Sequence, residues 1–220
     1  MDKEPSIVVE SVTKQYTAGK PIFTEISEEF RPGEAVGLTG PNGSGKTTFL
    51  RLLSVNTFPT SGQVLYGGQN IHEKPWNYLQ HVGLVHDEES LPTYLTAVEL
   101  LEWVLRARNA WDENSEGRIS ELFDRLELDE SRTDPVGTYS TGMKKKAQIA
   151  AALIARPRVL VLDEPLRGLD VTARKRAIEL FSEEVNRGAI FLMASHAGEE
   201  LERLAGRIMK FPLEQEPVPG

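Results

Sequence analysis

No cysteine occurs anywhere in the 220 residues. Disulfides, thiolate metal sites and cysteine nucleophiles are thereby excluded, and the absence fits a reducing compartment. Basic charge is also short. Twenty-five Lys and Arg face 33 Asp and Glu, a formal net charge of −8 with a pI near 5.2. That balance argues against nucleic acid as a partner and against attachment to acidic lipid. Long apolar runs are missing too. Nothing approaches the roughly 20 residues that a membrane helix needs, and the opening MDKEPSIVVE has no apolar stretch of leader length. The expectation is a chain that does not itself span a membrane.

What is present suffices for an ordinary buried core, with 40% apolar and 26% charged residues. The length fits one domain, or one domain carrying a large inserted subdomain. Residues 7–12 and 22–30 alternate loosely and predict antiparallel strands on either side of a turn-like TAGKP. A strand over 35–39 runs into a helix over 45–54, and strands follow at 62–66 and 82–85. From Thr96 the period becomes helical, with Thr96 and Ser115 as N-caps and a third helix over 142–154. Strand character returns with RVLVLDEP, a helix over 171–186, AIFLMAS, a helix over 199–204 and RIMKF. Apolar strands alternating with helices indicate a parallel α/β sheet buried on both faces. The expected organisation is a core in two segments, 1–86 and 156–220, a helical subdomain over 87–155, and a mobile Pro/Glu-rich tail at 212–220. His72 and His81 have no clustered ligands nearby and read as surface residues.

The stretch Gly40, Pro41, Asn42, Gly43, Ser44, Gly45, Lys46, Thr47, Thr48 joins a strand to a helix in the G-x-x-x-x-G-K-[ST] pattern. Glycines let the chain curl with its N–H groups inward, and the helix N-terminus adds partial positive charge beneath them. Lys46 supplies the only fixed cation of this cradle, for β and γ phosphates, and Thr47 offers a hydroxyl to Mg²⁺. The complement is RVLVLDEP, an apolar strand that delivers Asp163 and Glu164 at its C-terminal end. Asp163 is placed to hold Mg²⁺, and Glu164 to take a proton from an attacking water or to polarise it. These two motifs alone are shared by small-metabolite kinases, GTPases, helicases and transport ATPases.

Between and after them, YSTGMKKKAQIAAALIARPRVLVLDEPLRGLD (139–170) resembles the signature-to-D-loop region of ATP-binding cassette (ABC) ATPases. The S-T-G-M form at Ser140–Met143 resembles the ATPase subunits of ABC-2-type exporters, and the likeness covers nearly the whole chain. It implies an α/β P-loop NTPase core with an antiparallel β subdomain and an inserted helical subdomain. It also implies that Ser140 and Gly142 meet the γ-phosphate held by an opposite subunit, as a polar turn opening a helix can. Asp170 then belongs to a D-loop that contacts the partner, and Tyr16 stacks on adenine. His196 resembles the switch histidine that contacts the γ-phosphate and orients the attacking water.

One position departs from the family pattern. Where the family usually carries a Gln after a strand such as VGLV, this chain has Asp87, flanked by His86 and Glu88. A carboxylate can coordinate Mg²⁺, so Asp87 is the expected ligand there, with Glu88 the next candidate. The altered charge puts in question how tightly hydrolysis is coupled to a partner.

The resemblance thus implies ATP and Mg²⁺, a homodimer with ATP at its interface, and a separate transmembrane permease that binds the cargo. It places the chain at the cytoplasmic face of the cell membrane. Leu91, Tyr94 and Leu95 are expected to border the permease-docking groove, the alternative being that they close the helical subdomain's core. Other readings are a soluble ABC ATPase of ribosome or DNA transactions, and a P-loop kinase of a small metabolite. The acidic single cassette disfavours the first, and Ser140–Met143 with Glu164 disfavour the second.

Overall fold

The computed structural model describes residues 5–87, 91–195 and 198–213. Two sheets organise them. The first is antiparallel, in strand order β2-β1-β4-β5, from β1 (Ile7–Thr17), β2 (Lys20–Phe30), β4 (Ser61–Tyr66) and β5 (Gln69–Asn70). The second is parallel, in order β6-β7-β8-β3-β9, from β3 (Ala35–Thr39), β6 (Val82–Val85), β7 (Val159–Asp163), β8 (Ile190–Ala194) and β9 (Arg207–Lys210).

Every residue of β7 and β8 is buried, because both faces of the parallel sheet are covered. The alternation along each strand divides the core in two. Leu160, Leu162, Phe191 and Met193 face a layer of helices: α3 (Ala97–Ala107), α4 (Ser115–Leu126), α5 (Thr141–Leu153), α6 (Val171–Asn186) and α7 (Gly198–Leu204). Val159, Val161, Ile190 and Leu192 face α1 (Lys46–Leu53) and the antiparallel sheet. The helices over 97–153 therefore share one continuous apolar core with the sheet.

Behind the turn from β3 to α1 lies a knot of phenylalanines. Phe49 of α1, wholly buried, meets Phe23 edge-on at 5.9 Å, Phe30 at 6.2 Å and Phe211 at 5.7 Å. Aromatic pairs of this geometry contribute about 0.5–1.5 kcal/mol each beyond the area they bury. The knot ties both sheets and the helix to one place.

Several boundaries differ from the sequence expectation. The hairpin strands run to Thr17 and from Lys20, so TAGKP is mostly strand and the turn is only two residues long. Thr96 caps α3 as expected, in a capping box with Glu99. Ser115 is not a cap but the first residue of α4. Asn114 holds the cap position without a side-chain bond, and the Ser115 hydroxyl accepts from the Asp112 N–H at 2.8 Å. The short α2 (Pro75–Leu79) and β5 carry no sequence signal strong enough to find. The predicted tail at 212–220 lies outside the described residues from 214 onward.

Candidate functional site

The chain leaves β3 at Thr39 and enters α1 at Lys46 through a loop whose three glycines, Gly40, Gly43 and Gly45, all have positive φ. At Gly40, with φ 146°, a Cβ would lie 2.2 Å from the Phe211 carbonyl oxygen, so only glycine lets the loop pass the chain beyond β9. Lys46 is buried, and its ammonium donates to the carbonyl oxygens of Gly40 at 2.7 Å and Pro41 at 3.1 Å. Ser44 Oγ is buried in the same loop with no hydrogen-bond partner in the protein. An orphaned hydroxyl costs about 1–3 kcal/mol, and a phosphate oxygen would satisfy it.

A cavity of about 720 Å³ opens over this loop, lined by Asn42 through Thr48 and, from β7 and beyond, by Asp163, Glu164 and Ser195. Asp163 ends β7 almost fully buried. Burial pushes its pKa above the ordinary aspartate value, the Thr47 hydroxyl bonded to it pulls back, and the Asp87 carboxylate pushes it up further. Glu164 sits at φ 47°, a left-handed conformation rare for a side-chain-bearing residue, and its N–H donates to the Ala194 carbonyl at 2.9 Å. The backbone turns there from the strand into the following loop. Such strain costs about 1–3 kcal/mol and gathers at functional sites.

Asp87 lines the same cavity from the end of β6, but its carboxylate is held by Arg167, with Nη1 3.0 Å from each oxygen. Arg167 and Arg174 also line the cavity, so Lys46 is not its only cation. Arg174 is braced by the Leu169 carbonyl at 3.0 Å and lies 3.6 Å from Glu200. Sequence reasoning missed both arginines, since nothing in the local pattern RGLDVTAR ties them to a loop over a hundred residues earlier.

The other expected residues lie around this centre. Tyr16 is 61% exposed with Lys14 Nζ 4.5 Å from its ring centroid, so it is no core aromatic. It lines an adjacent cavity that shares Thr47, Asp87 and Asp163 with the first. Ser140 is the N-cap of α5, accepting from the Met143 N–H at 3.3 Å, and Gly142 follows in the first turn. Asp170 is the N-cap of α6, accepting from the Ala173 N–H at 2.8 Å, a bond that holds its pKa below the ordinary value. None of these three lines the cavity of its own chain. His196 and Glu88 lie outside the described residues. Leu91 packs on the helical core and Leu95 is half-buried, whereas Tyr94 is 80% exposed. His72 and His81 are not surface residues. Both are partly buried, and burial pushes both pKa values down.

The fit to Mg²⁺ follows from the donor set. Thr47, Asp163 and Asp87 offer oxygen ligands only, as a hard divalent cation prefers. Among the described residues no three His, Asp or Glu cluster closely enough to hold a metal by themselves. Phosphate oxygens and water would have to complete the shell, which is how Mg²⁺ is held at nucleotide sites.

The model of the ABC transporter family matches residues 23–167. The doxorubicin resistance ATP-binding protein DrrA of Mycobacterium tuberculosis is 31% identical over 93% of this chain and 62% of its own length. The Nod factor export ATP-binding protein I of Burkholderia pseudomallei is 34% identical over 90% of this chain and 65% of its own. The chain thus spans just under two thirds of the length of these curated relatives. A solved ATP-binding subunit of an ABC transporter superposes with a TM-score of 0.88 at 25% identity, covering 93% of this chain and 85% of that one.

Proposed function

The chain belongs to the ABC transporter family, and on that footing we propose that it is the ATP-binding and ATP-hydrolysing subunit of an exporter, driving a separate transmembrane permease. One observation carries the reading. The orphaned Ser44 hydroxyl, the Lys46 ammonium, the start of α1 and the carboxylates of Asp163 and Glu164 all face a single cavity.

Phosphates would lie on the loop N–H groups and the positive end of α1, with Lys46 leaving its carbonyls to reach them. Thr47 and Asp163 would hold Mg²⁺, with Asp87 as a further ligand. When bound, the metal neutralises charge developing on the β and γ phosphates. Glu164 would take the proton of the water whose oxygen bonds to the γ-phosphorus as the bond to the β-phosphate oxygen breaks. Tyr16 would stack on the adenine, and His196 would orient the water.

Ser140 and Gly142 open a helix whose start does not face this chain's own cavity, which supports their serving a second copy across a head-to-tail dimer. The Asp170 carboxylate is committed to capping α6, so its part would be to fix the turn that meets the partner. No helix among the described residues is long and apolar enough to cross a membrane. A permease-bound chain would sit at the cytoplasmic face of the membrane, with exposed Tyr94 at the docking surface. The roles of the relatives, drug resistance and Nod factor export, favour outward transport.

The test is Glu164→Gln loaded with ATP and Mg²⁺. Hydrolysis should fall by about 10²–10⁴-fold while ATP stays bound and the protein sediments as a dimer. A variant that hydrolyses at the parent rate moves the base elsewhere. One that stays monomeric with ATP bound rejects the site completed in trans.

A further inference from the structure

Asp87 is where a fixed cation and a metal would compete for one carboxylate. Arg167 Nη1 engages both of its oxygens at 3.0 Å. Both side chains line the cavity that holds Thr47 and Asp163. The lone pair that each oxygen gives to the guanidinium N–H is not available to a metal, and the guanidinium charge opposes a second cation beside it.

The backbone beneath is held in place. Lys145 of α5 is 1% exposed, and its ammonium donates to the carbonyl oxygens of His86 at 2.9 Å and Asp87 at 3.3 Å. His86 in turn lies with Nε2 3.2 Å from Asn56 Nδ2. Moving this main chain would break both of these bonds to a buried ammonium, a larger cost than turning one part-exposed side chain. Any change of partner at Asp87 is therefore a rotation of its carboxylate.

We propose that Arg167 is a positioning residue that competes with the divalent cation for Asp87. The carboxylate offers the metal its full set of lone pairs only once it has turned away from the guanidinium. The proposal rests on the reading of Asp87 as a metal ligand. The side chains of the pair are 70% and 37% exposed, and exposed pairs shift an equilibrium by about fivefold or less. Arg167 thus tunes metal affinity over a small range without closing the site. The released guanidinium stays at a cavity where phosphate oxygens would attract it.

The experiment is Mn²⁺ binding, followed by electron paramagnetic resonance, to the full chain loaded with a non-hydrolysable ATP analogue. Arg167→Gln should bind Mn²⁺ about two- to fivefold more tightly than the parent. Arg167→Lys, which keeps the charge, should stay near the parent. Asp87→Asn should weaken Mn²⁺ binding and cancel the gain of Arg167→Gln in the double variant. Unchanged or weaker Mn²⁺ binding in an Arg167→Gln protein that still holds the analogue overturns the proposal. Unchanged Mn²⁺ binding in Asp87→Asn removes Asp87 from the metal shell and the proposal with it, while retained analogue binding leaves the ATP site standing. A parent chain that binds no analogue sinks the ATP reading itself.

Discussion

The ammonium of Lys46 donates to the carbonyl oxygen of Gly40 across 2.7 Å, so the cation offered by the phosphate loop also braces that loop. Lys46→Ala therefore removes two things at once. Tight ATP binding should be lost, and stability without nucleotide should fall by about 1–3 kcal/mol as the Gly40 and Pro41 carbonyls lose a charged donor. Nucleotide titration and urea melts check the two effects. Unchanged affinity would remove the loop from the binding site.

Gly40 and Gly43 both have positive φ but differ in their surroundings, since a Cβ at Gly43 meets nothing within 4 Å. Gly43→Ala should cost about 1–2 kcal/mol for the backbone alone. Gly40→Ala adds collision with the Phe211 carbonyl and should cost about 3 kcal/mol or more. Equal melting temperatures for the two variants would contradict the close approach.

Glu164 holds its left-handed backbone at a cost that glycine would avoid. Glu164→Gly should be about 1 kcal/mol more stable than Glu164→Ala, with hydrolysis equally impaired in both. The comparison separates strain from charge, because both variants lack the carboxylate. Alanine matching glycine in thermal unfolding would mean the turn relaxes.

His72 donates from Nε2 to the Thr57 carbonyl at 3.1 Å, and burial lowers its pKa below 6.5. Unfolded, it titrates normally, so between the two pKa values the unfolded chain binds more protons. Its contribution is complete above about pH 6.5 and is lost as pH falls through the folded value. His81 is lowered in the same direction, by burial and then by Arg158 and Arg108. Replacing both by Gln should flatten the stability curve just below pH 6.5, as read by urea melts across that range.

What the sequence revealed was local in origin. The phosphate loop, the buried strand ending in Asp163 and Glu164, and the cap at Thr96 each declare themselves within about ten residues. What it hid depends on contacts between distant segments. Lys144, Lys145 and Lys146 are indistinguishable on paper, yet only Lys145 is buried, because the helix turns it toward the loop at His86. Arg167 and Arg174 reach the cavity only because α6 and its preceding turn fold over it. His72 looked solvent-exposed because what it touches, the Thr57 carbonyl and the Phe58 ring, lies on an earlier segment. The hairpin outran its expected length because Lys14, Gln15 and Tyr16 pair with β2 or flank its partner despite their polarity.

The position of β3 between β8 and β9 has a consequence for how the chain is made. Thr39 accepts from the Phe211 N–H at 2.7 Å, and Gly40 passes against the carbonyl of that same residue. Ribosomal synthesis releases the phosphate loop well before the two strands that flank it. A nascent chain with the phosphate loop, Asp163 and Glu164 already translated would still lack the neighbours that shape the cradle. The cradle then takes shape only when β8 and β9 have joined β3, however early the phosphate loop itself is made.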